Sequence, residues 1–179
     1  MSSNKNQIRI NNLVLTALLA ALIAVSTAYI KINTGINNGY VHFGDSLIYL
    51  CACLLPIPNA LIGAAVGGAF ADVLAGAAIW APFTAVIKAL NALCVALIYR
   101  SKLNKNKDRI LTPASASAGA ASGIITVAGY YVAEGILYSF PTALTSVPFS
   151  IIQAVGSAVF FIIIAAALDR AKFKKRFIR

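Results

Sequence analysis

The stretch Trp80-Ala81-Pro82-Phe83-Thr84-Ala85-Val86-Ile87-Lys88-Ala89-Leu90-Asn91 opens an apolar run that reaches Tyr99, with a lysine well inside it. A charge at that depth in a lipid-spanning segment costs roughly 3 kcal/mol or more unless it is paired or wetted, so Lys88 marks a candidate functional site. Helical spacing turns the neighbouring polar residues into stripes. Thr84, Lys88 and Asn91 fall at i, i+4, i+7. Tyr130, Glu134 and Tyr138 fall at i, i+4, i+8, and Ser146, Ser150, Gln153 and Ser157 repeat the pattern further on. Residues so spaced share one helix face. At 1.5 Å per residue, Lys88 lies about 9 Å inward from Pro82 and Glu134 about 6 Å inward from Tyr138. Polar stripes at similar depth on consecutive helices predict a pocket opening on one side, with Trp80 at the same level. Rings together with a few hydrogen-bonding groups suit a small, polar, partly aromatic ligand. A purely structural Lys88–Glu134 ion pair is the alternative, although buried pairs only break even against apolar packing.

The elements that must position these residues follow from composition. Of 179 residues, 60% are hydrophobic and only 11% charged, against roughly 25% in soluble domains; the mean hydropathy is +0.83. The chain reads as a single all-α membrane domain of six transmembrane helices, with spans near 13–30, 43–56, 60–79, 82–99, 111–138 and 147–168. The first apolar stretch is long enough to span and is not a cleavable leader. Thirteen of the fifteen basic residues lie at the N-terminus, in 100–109 and in the tail 170–179. Such clusters mark the cytoplasmic side, which places both termini inside. They also suit anionic lipid heads. The net charge of +10 does not indicate nucleic acid, since no aromatic platform or reading motif accompanies it.

Between the spans, 31–42 holds turn chemistry, and Asp45 is placed to cap the next helix. Asp72 needs a partner, either Lys88 or amides of the first loop. Residues 139–146 are expected as an outer loop. Gly63 and Gly67 form a GxxxG pair; Ala17, Ala20, Ala21 and Ala24 give small-xxx-small spacing, which serves either internal packing or docking onto another membrane subunit. Cys51, Cys53 and Cys94 sit in apolar runs, and His42 alone cannot complete a metal site with them. No metal site and no catalytic residue are assigned. An intramembrane hydrolase using Ser150 and Lys88 lacks anything to position the pair, and no G-x-S-x-G is present. A solitary transporter is expected to show internal repeats, and none is evident. The residues favour a binding protein whose energy source lies in other chains.

The runs Gly39-Tyr40-Val41-His42-Phe43-Gly44-Asp45-Ser46, Ala69-Phe70-Ala71-Asp72-Val73-Leu74-Ala75-Gly76 and Ile79-Trp80-Ala81-Pro82-Phe83-Thr84 through Lys88 resemble the substrate-binding S components of energy-coupling factor (ECF) vitamin transporters. The similarity is to the riboflavin-type S-component family and covers nearly the whole chain. It implies a multi-pass protein of the bacterial plasma membrane that is not an enzyme and carries no cofactor. ATP would be used by two ABC ATPases, joined to the chain through a transmembrane coupling subunit. It further implies that Ala17, Ala20, Ala21 and Ala24 dock onto that subunit, and that the protein topples in the membrane to deliver its vitamin. A hydroxymethylpyrimidine or other thiamine precursor, a pyridoxine or a riboflavin is the expected ligand class. The resemblance draws the first outer loop into the site. Asn38, Tyr40 and His42 then join Trp80, Thr84, Lys88, Asn91, Tyr130, Glu134, Tyr138 and Gln153 as expected ligand contacts.

Overall fold

The computed structural model describes residues 2–35, 40–102 and 104–177. The described residues are mostly helical, with one small two-stranded ribbon. Helix α1 spans Ser2–Tyr29; strands β1 (Lys31–Asn33) and β2 (Tyr40–His42) follow, then α2 (Asp45–Leu54) and α3 (Ile57–Leu74). A 3-10 turn at Ala78–Trp80 leads into α4 (Ala81–Arg100), then α5 (Pro113–Leu137), α6 (Phe140–Arg170) and a short α7 (Phe173–Phe177). Five of these helices are long and apolar enough to cross a membrane: α1, α3, α4 with its 3-10 lead-in, α5 and α6. The expected second span differs. It is a ten-residue helix, about 15 Å long at 1.5 Å per residue, or half a hydrocarbon core.

That short helix sits at the centre. α1 packs on α3, α3 on α4, α4 on α5 and α5 on α6, and α2 touches α1, α3, α4, α5 and α6. All its residues except Leu47 are buried. Ile48 and Tyr49 anchor a core with Ile23, Val95 and Phe161. The outward faces are the reverse: Leu13, Val14, Leu18, Phe70, Val86, Ile124, Ile136, Val155 and Ile163 are all exposed. A continuous apolar exterior is untenable in water and expected against lipid chains.

Local chemistry explains the helix ends. Thr112 caps α5 in a reciprocal box with Ser115, and Pro113 occupies a first-turn position where its missing N–H costs nothing. Ser139 caps α6 by accepting from the Thr142 amide, with Pro141 in the first turn. Residues 140–146, expected as an outer loop, are therefore helical. The ribbon pairs Lys31 with His42, Ile32 with Val41 and Asn33 with Tyr40.

Two glycines set close approaches. A Cβ at Gly67 would lie 2.7 Å from the Ala20 carbonyl oxygen, so α1 meets α3 backbone to backbone. A Cβ at Gly68 would lie 2.8 Å from Lys88 Cγ, so Gly68 supplies the space in which the lysine chain runs. At the opposite end of α4, Arg100 donates to the carbonyls of Ala52, Leu55 and Ala96, closing the end of α2. Asp169 accepts the Ile110 and Leu111 amides at 2.8 and 2.9 Å, tying the basic connector to α6.

Candidate functional site: a cavity under the hairpin

The site is built from the floor upward. Lys88 Nζ lies 2.6 Å from Asp45 Oδ1, with the side chains 1% and 0% exposed. Gln153 Nε2 donates to Asp45 Oδ2 at 3.2 Å, and the Lys88 ammonium sits 5.0 Å from the centre of the Tyr130 ring. One carboxylate thus joins α2 to α4 and α6. Removing either partner of such a pair costs about 3–5 kcal/mol, because the other charge is left uncompensated. Below, Asn91 Nδ2 donates to Thr126 Oγ1 at 2.9 Å and fastens α4 to α5.

Above this floor lies a cavity of about 60 Å³. Tyr40, Val41 and His42 of β2 roof it with Thr34, and Thr27 of α1 and Asp72 of α3 wall one side. Trp80, Thr84, Tyr130 and Glu134 wall another, and Ser146, Phe149, Ser150 and Gln153 of α6 close it. Tyr40 donates its hydroxyl to Asp72 Oδ1 at 2.5 Å, latching the hairpin to α3. Burial and the facing Asp72 carboxylate push the Tyr40 phenol above its ordinary pKa, so it stays a donor. Gly44 donates its amide to His42 Nδ1 at 3.0 Å, which leaves the ring proton on Nε2. Burial, with Lys88 nearby, lowers the His42 pKa to about 3, so the ring is neutral. Trp80 stands between Tyr130 and Tyr138, with ring centres 6.1 Å away on both sides. Thr84 Oγ1 and Tyr130 OH are 3.3 Å apart. Among the described residues, Asp72 Oδ2 and Trp80 Nε1 are buried with no hydrogen-bond partner. A polar ligand can complete both.

The expected site residues divide into three groups. Tyr40, His42, Trp80, Thr84, Tyr130, Glu134 and Gln153 line the cavity together. Lys88 and Asn91 lie one layer beneath, held by Asp45 and Thr126, while Tyr138 backs Trp80 from outside and is 46% exposed. Asn38 lies outside the described residues. The partner of Lys88 is Asp45 rather than Glu134, and this corrects the expected cap: Gly44 is the cap residue of α2 and makes no side-chain cap bond. Asp72 finds its partner in Tyr40 rather than in Lys88 or a loop amide. Sequence reasoning missed Thr27, Thr34, Val41, Asp72 and Phe149 as lining residues, and it placed Ser146 and Ser150 on a polar stripe without counting them among the ligand contacts. Its usable missed signal was charge parity, since a buried lysine needs a nearby carboxylate and Asp45 and Asp72 are both available. Of the alanine stripe, Ala17 and Ala21 are exposed, Ala20 is half-buried and Ala24 is buried.

The described residues form a multi-helix fold with an apolar exterior around a small polar cavity, the arrangement of a membrane protein. Comparison with known proteins specifies it further. Residues 7–170 match the family described as ECF-type riboflavin transporter, S component, and the chain belongs to that family. It is therefore a transporter subunit and not an enzyme. An uncharacterized Pyrococcus woesei protein is 34% identical over 138 residues, covering 76% of this chain and 87% of the relative.

Proposed function

We propose that the chain is the vitamin-capturing subunit of an ECF importer and binds its ligand in the cavity under the β1–β2 hairpin. The observation that carries this reading is the cavity itself: aromatic and polar walls, with Asp72 Oδ2 and Trp80 Nε1 left open for a ligand. The chain makes six passes with both termini in the cytoplasm, and the cavity faces outward. The second pass runs through 43–56, with α2 at its core and the hairpin above it on the outer side. Supporting this, Arg100, in the basic segment on the cytoplasmic side, bonds the last carbonyls of α2. Non-helical backbone at membrane depth is tolerable where protein surrounds it. The ligand is a water-soluble vitamin or precursor of the hydroxymethylpyrimidine, pyridoxine or riboflavin class. Delivery proceeds by toppling, in complex with a coupling subunit and two ATPases that use ATP; this chain holds no cofactor.

The test is calorimetry on the purified chain, or quenching of Trp80 fluorescence, against a panel of water-soluble vitamins and precursors. Binding tighter than micromolar by one of them supports the reading. Failure of the whole panel removes it.

A further inference from the structure

We propose that the lipid-facing side of the α5–α6 pair holds one anionic phospholipid, its phosphate in a basic pocket at the end of α6 and one acyl chain in the groove beside it. This site is separate from the cavity under the hairpin and does not depend on what that cavity binds. The pocket has a volume of about 340 Å³ between the α4–α5 connector and the end of α6. Among the described residues, Arg109, Lys172, Lys174 and Lys175 line it together with Asp108 and Asp169, four bases against two acids. Asp169 is committed to the Ile110 and Leu111 amides, and Arg109 meets it through Nε, 3.8 Å from Oδ2. An arginine held through Nε keeps its terminal N–H groups for another oxygen. Lys174 donates to the Tyr99 hydroxyl at 2.6 Å and to the Lys107 carbonyl, while Tyr99 donates to the Arg109 carbonyl at 2.6 Å. Those bonds tie α7 to the connector, so the pocket is formed before anything enters it. Arg109, Lys172 and Lys175 are exposed around it. Basic pockets at the membrane face of a helix bundle bind anionic lipid heads.

The groove is an independent observation on the same helices. About 700 Å³ lies open between α5 and α6, and among the described residues its lining is apolar except for Tyr131. Ala120, Ile124 and Val127 form one wall at i, i+4, i+7, and Val155, Val159 and Ile162 repeat that spacing on the other. At the floor, a Cβ on Gly123 would lie 2.9 Å from the Ala154 Cβ, so the helices pack closely there and the furrow opens outward. Pocket and groove share one stripe of α6. Ile162, Ala166 and Asp169 carry the i, i+4, i+7 series from the groove into the pocket. Ile162 is about 10 Å from Asp169 along the helix, with the small Ala166 between them. One leaflet's hydrocarbon is about 15 Å deep, so a chain rooted at the pocket passes Ile162 and reaches Val159 near mid-membrane. A second copy of this chain, at net charge +10, would bring like charge to the pocket, whereas an anionic headgroup brings its complement.

Native mass spectrometry of the full chain tests this, after delipidation in detergent and titration with dioleoyl phosphatidylglycerol, dioleoyl phosphatidylcholine or water-soluble glycerol phosphate. One phosphatidylglycerol is expected per chain, bound at least about tenfold tighter than phosphatidylcholine with the same acyl chains. Combining Arg109→Gln, Lys172→Gln and Lys175→Gln is expected to remove that preference. Combining Lys5→Gln, Arg9→Gln and Lys102→Gln, which loses the same charge outside the pocket, is expected to keep it. Ala120→Phe, at an exposed groove position, is expected to weaken phosphatidylglycerol at least about fivefold by filling the furrow. Equal affinity for the two lipids overturns the proposal, and so does an equal loss in the two charge variants, which is the mark of diffuse attraction. Unchanged affinity in Ala120→Phe overturns the placement of the acyl chain. Displacement of the lipid by glycerol phosphate at equal concentration assigns the pocket to a soluble phosphate instead, and a lipid-free dimer assigns the groove to a second copy; either result overturns the proposal.

Discussion

Lys88 Nζ and Asp45 Oδ1 approach to 2.6 Å in the centre of the helix bundle, and the contact joins the short helix α2 to the long α4. Because α2 is too short to anchor itself at both membrane faces, its depth depends on side-chain contacts. Arg100 fixes its lower end through the Ala52 and Leu55 carbonyls, and Lys88 fixes its upper end through Asp45. The pair therefore sets the height of the cavity floor.

The single variant Lys88→Met is expected to destabilise the ligand-free protein by about 3–5 kcal/mol, because it strands the Asp45 carboxylate. The double variant Lys88→Met with Asp45→Leu is expected to recover most of that loss. Thermal unfolding in detergent, read as a double-mutant cycle, measures the coupling. Single variants that each cost under about 1 kcal/mol would show the pair to be unimportant to the fold.

Gly68→Ala is expected to act on the site through Lys88, since the added methyl would sit 2.8 Å from Lys88 Cγ. Overpacking of this kind costs about 1–3 kcal/mol and is relieved by moving the flexible lysine chain. Ligand affinity should fall together with stability. The same substitution at Gly67 presses on the rigid Ala20 carbonyl instead, 2.7 Å away, and should cost stability with less effect on binding. Equal loss of affinity in the two variants would contradict this division.

The parts of the site that were legible in the sequence are those that helical periodicity carries. Thr84, Tyr130, Glu134 and Gln153 recur on one face of long helices, so their convergence could be read without a structure. Periodicity is silent about partners distant in sequence. Tyr40 and Asp72 are 32 positions apart, and Gln153 and Asp45 are 108 apart. Asp45 was obscured further by its place at a helix start, where an acidic residue ordinarily serves the helix end. The start of α6 was misplaced because Pro141 reads equally as a loop residue or a first-turn residue, and only the Ser139 cap distinguishes them. The five long helices were legible from hydropathy, whereas the shortness of α2 was not, since a short apolar run does not fix helix length.

His42 gives a pH signature with a definite sign. In the unfolded chain it takes up a proton near its ordinary value of 6.5, whereas burial keeps the folded ring neutral down to about 3. The unfolded state therefore binds more protons between those values, and stability contributed by neutral His42 is lost as the pH falls through that window. The loss attributable to this residue at pH 5 is about 2 kcal/mol. Unfolding temperatures of wild type and His42→Asn, compared at pH 7 and pH 5, check it. The variant, whose amide oxygen can still accept from Gly44, should show the shallower decline. Parallel declines would mean that His42 charges without penalty in the folded protein.

The alanine stripe of α1 separates packing from docking. Ala24 is buried and Ala20 half-buried, with the Ala20 carbonyl against Gly67, whereas Ala17 and Ala21 are exposed on the lipid-facing side. Small residues on an exposed face let a second membrane protein approach closely, while those on an inner face serve the bundle. Ala17→Leu and Ala21→Leu are therefore expected to abolish uptake by the assembled transporter while leaving ligand affinity and unfolding temperature unchanged. Ala24→Leu is expected to lower the unfolding temperature first, with any loss of uptake following from that. Transport in reconstituted vesicles, ligand titration and thermal unfolding on the same variants separate the two effects. Should Ala17→Leu and Ala21→Leu transport normally, the coupling subunit must meet a different face of the protein.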